Sequence, residues 1–371
     1  MKKMLIFLCI IPLIFAGCSK EVEDNKKGVM KIEQSAEEII IKKVDDKVTE
    51  KEIIVETPEK EITEVEKINL DEVRPNEIGR VMIIMYHSFG KNEKQFVSTP
   101  EIFKNDLIEL NDLGYVLVSL EDYVNNNMDI DAGKTPVVIT FDDGHSTNFK
   151  VFEENGEIKI DSKSAVGIID SVYKENPNFG REATFFLNGN IVFGQKEYVD
   201  YKLNYLIDNG YDIGNHSNGH EDLSTLSADA IQKTLAINKE KIESHLNGYE
   251  VKTLALPFGK RPKDEKLEEF IYNGKYGDID YNNIAVLNVG WNPASSPISK
   301  KFNYKSINRV QAGSMEYQLD YWIDYFEKNP DNKYISDGNV NVITVPENLE
   351  EYIDYNKIVD KELILYERKQ L

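Results

Sequence analysis

The sequence predicts an α/β protein whose mostly parallel sheet curls into a distorted (β/α) barrel. Apolar strand-like runs alternate with amphipathic helix-like stretches over about 290 residues, the signature of a parallel sheet wrapped by helices. After the first eighteen residues no aromatic side chain occurs before Tyr86, and from there Tyr and Phe continue to the end. The chemistry-bearing residues stand where the apolar runs stop, and barrels of this class place their catalytic groups at those strand ends.

The N-terminal part reads as an address and a tether. Lys2 and Lys3 precede an apolar run from Met4 to Phe15, too short to span a bilayer, followed by Ala16-Gly17-Cys18. Phe15-Ala16-Gly17-Cys18 resembles the bacterial lipoprotein processing box, which implies cleavage before Cys18 and acylation of its thiol. The expectation is a lipoprotein signal peptide over 1–17 and an extracytoplasmic protein anchored to the cell membrane through Cys18. From Lys20 to Gly79 there are 11 Lys and Arg, 18 Asp and Glu, and no Phe, Tyr or Trp. Such a segment buries too little apolar surface to offset its ordering entropy, so 18–78 is expected as a largely disordered tether and 79–371 as the folded domain.

Charge and cysteine usage narrow the function. The 371 residues carry a net charge of −21, which argues against nucleic acid as a partner, because neutralising phosphates takes a basic face. Both cysteines, Cys9 and Cys18, lie in the address, so the folded part has no disulfide, cysteine metal site or cysteine nucleophile. No protein partner is indicated.

In order along the folded part, strand-like runs are Val81–Met85, Tyr115–Ser119, Pro136–Phe141, Ala183–Leu187, Thr253–Leu256 and Asn283–Val289, with another ending at Tyr211–Gly214. Glu101–Leu113 places Phe103, Leu107, Leu110 and Leu113 on one helical face, and Leu203–Asn209 and Asp229–Leu246 look similar. Glu154–Asn178 and Asn329–Asn341 read as insertions or loops.

Four strand ends carry candidate chemistry. Thr140-Phe141-Asp142-Asp143-Gly144 puts two carboxylates at the close of an apolar run, where one can ligate a metal and the other act as a base. By itself the pair reads equally well as a capped turn. Asn215-His216-Ser217-Asn218-Gly219-His220 spaces two of the chain's five histidines as neighbours on one helical turn, a spacing at which both can ligate one ion. Met85-Tyr86-His87 ends the first run; a lone histidine there is more often structural unless the barrel brings it to the others. Leu256-Pro257-Phe258-Gly259 suits a loop that offers a ring and a backbone N–H to a cleft, or a plain turn. His145 follows the aspartate pair closely enough to support it, whereas His245 reads as a surface or packing residue.

Together these residues resemble the polysaccharide deacetylase family (carbohydrate esterase family 4, the NodB-like deacetylases). Thr140–Gly144 is similar to its TFDDG motif, His216–His220 to its H-S/T-x-x-H motif, Ala183-Thr184-Phe185-Phe186 to its ATFF strand, and Pro257-Phe258-Gly259 to its Pro-Tyr-Gly. Ile83-Ile84-Met85-Tyr86-His87 resembles the permuted members, among them extracellular deacetylases of poly-β-1,6-N-acetylglucosamine. The resemblance implies the NodB-type barrel, a divalent metal (zinc, with cobalt or nickel as substitutes) held by Asp143, His216 and His220, and Asp142 as general base. It implies His87 as general acid and the Phe258 backbone N–H as an oxyanion donor. The implied reaction is hydrolytic release of acetate from N-acetylglucosamine units of a polysaccharide, favouring the poly-N-acetylglucosamine type, with peptidoglycan as the second substrate.

Two departures stand out. The family's arginine before Pro-Tyr-Gly is replaced by Ala255-Leu256, which leaves Arg261 as its expected substitute and, with Pro257, as a substrate-side residue. The Asp-x-x-Asp-Trp motif is not visible; Trp291, in Gly290-Trp291-Asn292, is expected to line the acetyl pocket or a sugar-stacking wall. A catalytically inactive carbohydrate-binding lipoprotein is the reading from a different class.

Overall fold

The computed structural model describes residues 68–189 and 192–369. The expected signal peptide, Cys18 and most of the expected tether lie outside these residues.

Eight strands form the main sheet: β1 (Met82–Tyr86), β2 (Tyr115–Leu117), β3 (Thr135–Phe141), β4 (Thr184–Leu187), β5 (Asp212–Asn215), β6 (Thr253–Ala255), β7 (Ala285–Leu287) and β8 (Val310–Gln311). They run in the order β7-β6-β5-β4-β3-β1-β8, with β2 on the first half of β3, and every pairing is parallel. The sheet curls back on itself through the segment leading into β8. Ile307 bridges Leu287 of β7, and three residues later Val310 pairs with Ile84 of β1. One short stretch therefore joins both edges.

The strands are apolar throughout because both faces are covered: all five residues of β1 and all seven of β3 are buried. Alternate side chains go to opposite sides. Ile83, Val138, Phe186, Ala255 and Leu287 fill the barrel interior. Ile84, Ile139, Phe141, Phe185 and Ile213 face out against helices. Gly214 is required here, since a Cβ on it would lie 2.3 Å from the Phe186 ring.

Helices α1 (Pro100–Asp112), α2 (Ala165–Glu175), α3 (Val199–Asp208), α4 (Ala228–Glu243) and α5 (Leu319–Lys328) pack outside. Their starts follow from the sequence. The Thr99 hydroxyl accepts from the Ile102 N–H, Ser164 from Gly167 and Ser227 from Ala230, each satisfying a helix N–H that has no partner inside the helix. Phe103, Leu107 and Leu110 form the buried face of α1, as their spacing predicts.

Three expectations are corrected. Glu154–Asn178 is not a loop: Val151–Glu154 and Glu157–Ile160 form an antiparallel hairpin, followed by α2. Asn155 and Gly156 at its tip both have positive φ, the turn that Asn-Gly favours. Tyr115–Ser119 ends as a strand at Leu117, because the Ser119 hydroxyl caps the short helix Leu120–Val124. The folded part also begins before residue 79. Asn69 caps a helical turn at Leu70–Val73, and Asn76 and Glu77 are buried. Glu77 docks on β9 (Val342–Pro346), which pairs in parallel with β10 (Glu362–Tyr366) in a small separate sheet. The Tyr366 hydroxyl donates to the Pro75 carbonyl at 2.9 Å. Sequence-local composition hides these contacts because their partners lie more than two hundred residues away.

Candidate active site

The C-terminal ends of β3, β5, β6 and β1 converge. Asp142 follows β3 directly and is 1% exposed. Its backbone N–H donates to the Tyr86 carbonyl of β1 at 3.0 Å, which fixes the strand end. Both of its oxygens are held by Arg309, Nη1 to Oδ1 at 2.7 Å and Nη2 to Oδ2 at 2.7 Å. Arg309 is itself fully buried. It also donates to the Thr140 hydroxyl at 3.2 Å and, through Nε, to the Asn288 carbonyl at 2.8 Å. Burial would raise the Asp142 pKa; the charge and hydrogen bonds of Arg309 overcome it and hold the carboxyl well below the usual range. Asp142 is therefore ionised and positioned.

The next residue turns the other way. Asp143 takes a positive φ of 73°, which swings its carboxylate toward β5. Its Oδ1 lies 3.5 Å from His216 Nε2 and 3.5 Å from His220 Nε2. One ligand atom from each of the three residues falls within 4.8 Å of the others. His145 Nε2 stands 3.2 Å from the second oxygen, Oδ2. His216 Nδ1 is 2.8 Å from the Ala255 carbonyl. A carbonyl only accepts, so Nδ1 carries the proton and Nε2 presents its lone pair to the cluster. The donor set and this tautomer fit a divalent ion of the zinc type with positions left open.

The two histidines reach one point by a route other than a helical turn. Ser217 and His220 both have positive φ, and the segment is irregular. It is tied by Glu221, whose Oε2 accepts from the Ser217 hydroxyl at 2.6 Å, the Gly219 N–H at 3.0 Å and the Thr234 hydroxyl at 2.7 Å. Asn215 accepts from the Ser217 N–H at 2.9 Å and from Asn238 Nδ2 at 2.8 Å. Glu221, Asn215 and Asn238 went unread in the sequence because their roles rest on neighbours in α4.

His87 follows β1, the strand beside β3, so the barrel does bring it to the others. Its Nε2 is 4.0 Å from Asp142 Oδ2. Burial pushes its pKa down to about 4, against the pull of Asp142 and Asp143. Phe258 follows β6, with φ 58°, and its ring meets His220 edge-on at 4.3 Å. Pro257 beside it is buried. Trp291 is 52% exposed and bridges Val310, next to the arginine.

Arg261 is not the partner of Asp142. Its Nη2 donates to Asn288 Oδ1 at 2.9 Å and to the Lys305 carbonyl at 2.7 Å. Arg309, from the segment that closes the barrel, takes the place expected for it. The only sequence signal was an arginine before a two-residue strand. His245 pairs with Asp200 at 2.6 Å on the surface, as expected.

The family model for polysaccharide deacetylase matches residues 129–269. A Streptococcus pyogenes deacetylase, PplD, solved with acetate, is similar at 17% identity and TM-score 0.49, over 66% of this chain and 97% of that one. A putative polysaccharide deacetylase from Bacillus anthracis is similar at 18% identity and TM-score 0.49, over 66% and 68%. IcaB from Ammonifex degensii is similar at 15% identity and TM-score 0.44, over 67% and 95%. No curated protein matches the sequence. The matched span holds Asp142, Asp143, His216 and His220, so the candidate site lies within the stretch that resembles a polysaccharide deacetylase.

Proposed function

We propose that the protein is a metal-dependent N-deacetylase of an N-acetylglucosamine polysaccharide outside the cytoplasm, with poly-N-acetylglucosamine-type exopolysaccharide as the favoured substrate. The observation that carries it is the pairing of an arginine-clamped, ionised Asp142 with the Asp143–His216–His220 cluster one residue away. A sugar binder needs neither a base nor three converging metal donors.

Asp143, His216 and His220 would hold the ion. When bound, it lowers the pKa of a coordinated water and polarises the acetyl carbonyl. Asp142, kept charged by Arg309, accepts the proton of the attacking water. The Phe258 N–H, at the end of β6 beside His220, donates to the developing oxyanion. His87, 4.0 Å from Asp142, would deliver a proton to the departing amine. Trp291, exposed near Arg309, offers a face for a sugar ring. Lipidation of Cys18 would attach the enzyme to the membrane, and residues up to 67 would give it reach.

The test is acetate release by the zinc-loaded protein from poly-β-1,6-N-acetylglucosamine and, in parallel, from peptidoglycan, with a chelator control. Chelator-sensitive release is expected from the first. Release from peptidoglycan alone would reassign the substrate, and none from either would remove the reading. Asp142→Asn is expected to lower kcat by at least about 100-fold while zinc still binds stoichiometrically; an active variant would show that Asp142 is not the base.

A further inference from the structure

A cavity of about 270 Å³ lies where the chain enters β1, lined by Arg80 and Lys301 among others. His87 leaves the other end of that strand. The five residues of β1 span roughly 16 Å, so this cavity and the candidate active site stand at opposite ends of the barrel. No residue assigned to the candidate active site lines it. Arg80 is half-buried, and among the described residues no carboxylate stands within salt-bridge distance of its guanidinium. Burial lowers its pKa, and only the Tyr325 and Tyr123 hydroxyls act against that. The chain holds 65 Asp and Glu against 44 Lys and Arg, so acids to pair with are in excess. A partly desolvated cation left without one is therefore the exception.

One carboxylate does line the cavity. Asp331 is matched already, by Arg368 at 2.8 Å and by Arg74 at 3.3 Å. The walls are fixed. The Arg80 N–H donates to the Asn332 carbonyl at 2.9 Å, and its carbonyl accepts from the Tyr334 N–H at 3.0 Å. Asn76 Nδ2 donates to the Asp331 and Lys333 carbonyls at 2.9 and 3.0 Å. The Lys301 ammonium stands over the ring of Tyr352, another wall residue, at 5.4 Å. The Ser299 hydroxyl accepts from the Lys301 N–H at 3.1 Å, which leaves its own proton to donate. A guanidinium fork, an ammonium and a hydroxyl around one space match a phosphate group. A carboxylate would be satisfied by Arg80 alone. The net charge of −21 repels an extended anionic surface, so the fitting ligand is a single phosphate on a small or flexible molecule.

We propose that this cavity is a phosphate-binding site, in which Arg80 and Lys301 hold the anion and Ser299 donates to it, at the end of the barrel remote from the candidate active site.

The test is calorimetric titration of the full-length, zinc-loaded protein with inorganic phosphate and with glycerol phosphate. Saturable one-to-one binding is expected. Arg80→Gln and Lys301→Glu are each expected to weaken it at least about tenfold, the loss of one charged hydrogen bond. Lys301 is exposed, so its replacement leaves the fold intact even if that of Arg80 does not. His216→Ala, at the other end of the barrel, is expected to leave phosphate binding unchanged. Binding lost in His216→Ala but kept in the other two variants would put the phosphate on the metal and overturn the proposal. An absence of saturable binding, or binding that neither Arg80→Gln nor Lys301→Glu weakens, would overturn it as well. Sedimentation of the Cys18→Ser protein with phosphatidylglycerol vesicles, against phosphatidylcholine vesicles, separates the sources of the phosphate. Retention on phosphatidylglycerol that both cavity variants abolish identifies a lipid headgroup. No retention, with inorganic phosphate still bound, identifies a soluble phosphate.

Discussion

Asp142 carries its charge in a fully enclosed place, with Arg309 on both oxygens at 2.7 Å. A buried ion pair of this kind contributes little net stability while intact, but losing one partner strands the other charge. Arg309→Met is therefore expected to lower the unfolding free energy by about 3–5 kcal/mol. The double variant Asp142→Asn, Arg309→Met is expected to recover part of that loss. Urea titration of the three proteins checks both statements, and additive losses would show that the pair is not coupled.

At the scale of elements, the segment before β1 is stapled to β9 by Glu77. Its Oε2 accepts from the Thr344 N–H at 2.8 Å and its Oε1 from the Tyr334 hydroxyl at 3.1 Å. Burial, with the nearby Asp337 charge adding to it, pushes its pKa up to about 8. The folded protein then keeps a proton that the unfolded chain releases near the ordinary value of 4.5. Stability from this group is full below that ordinary value and falls as pH rises toward 8, because unfolding releases the proton over that window. The loss is on the order of a few kcal/mol. Glu77→Gln removes the titration, so its stability is expected to change less between pH 5 and pH 8 than that of the wild type. Parallel denaturant curves at the two pH values measure it, and an equal slope for both proteins would exclude Glu77 as the source.

At the scale of the whole molecule, the proposed metal and the proposed lipid anchor would act on different parts. A metal that binds only the folded state stabilises it by mass action, about 2.7 kcal/mol at a hundredfold excess over Kd. Zinc is expected to raise the melting temperature, and the His216→Ala protein to lose most of that rise; calorimetry with and without a chelator decides it. Cys18→Ser is expected to move the protein from the membrane fraction to the soluble fraction without changing zinc-dependent acetate release. Retention of the variant in the membrane would place the anchor elsewhere.

The residues that define the candidate metal site were legible in the sequence because each lies in a short motif at the end of an apolar run. Strand polarity then carries those ends to one face of the barrel, and that holds for Asp142, Asp143, His216, His220 and Phe258 alike. The parallel α/β architecture was legible for a related reason: buried strands and amphipathic helices leave local periodicities. What only the tertiary structure decided lacks any local pattern. Arg309 meets Asp142 from 167 positions away, on a segment too short to read as a strand. Glu77 is acidic and sits at the end of a charged stretch, yet it is buried by a strand 267 positions distant. In each case the deciding contact is long-range, and only closure of the chain supplies it.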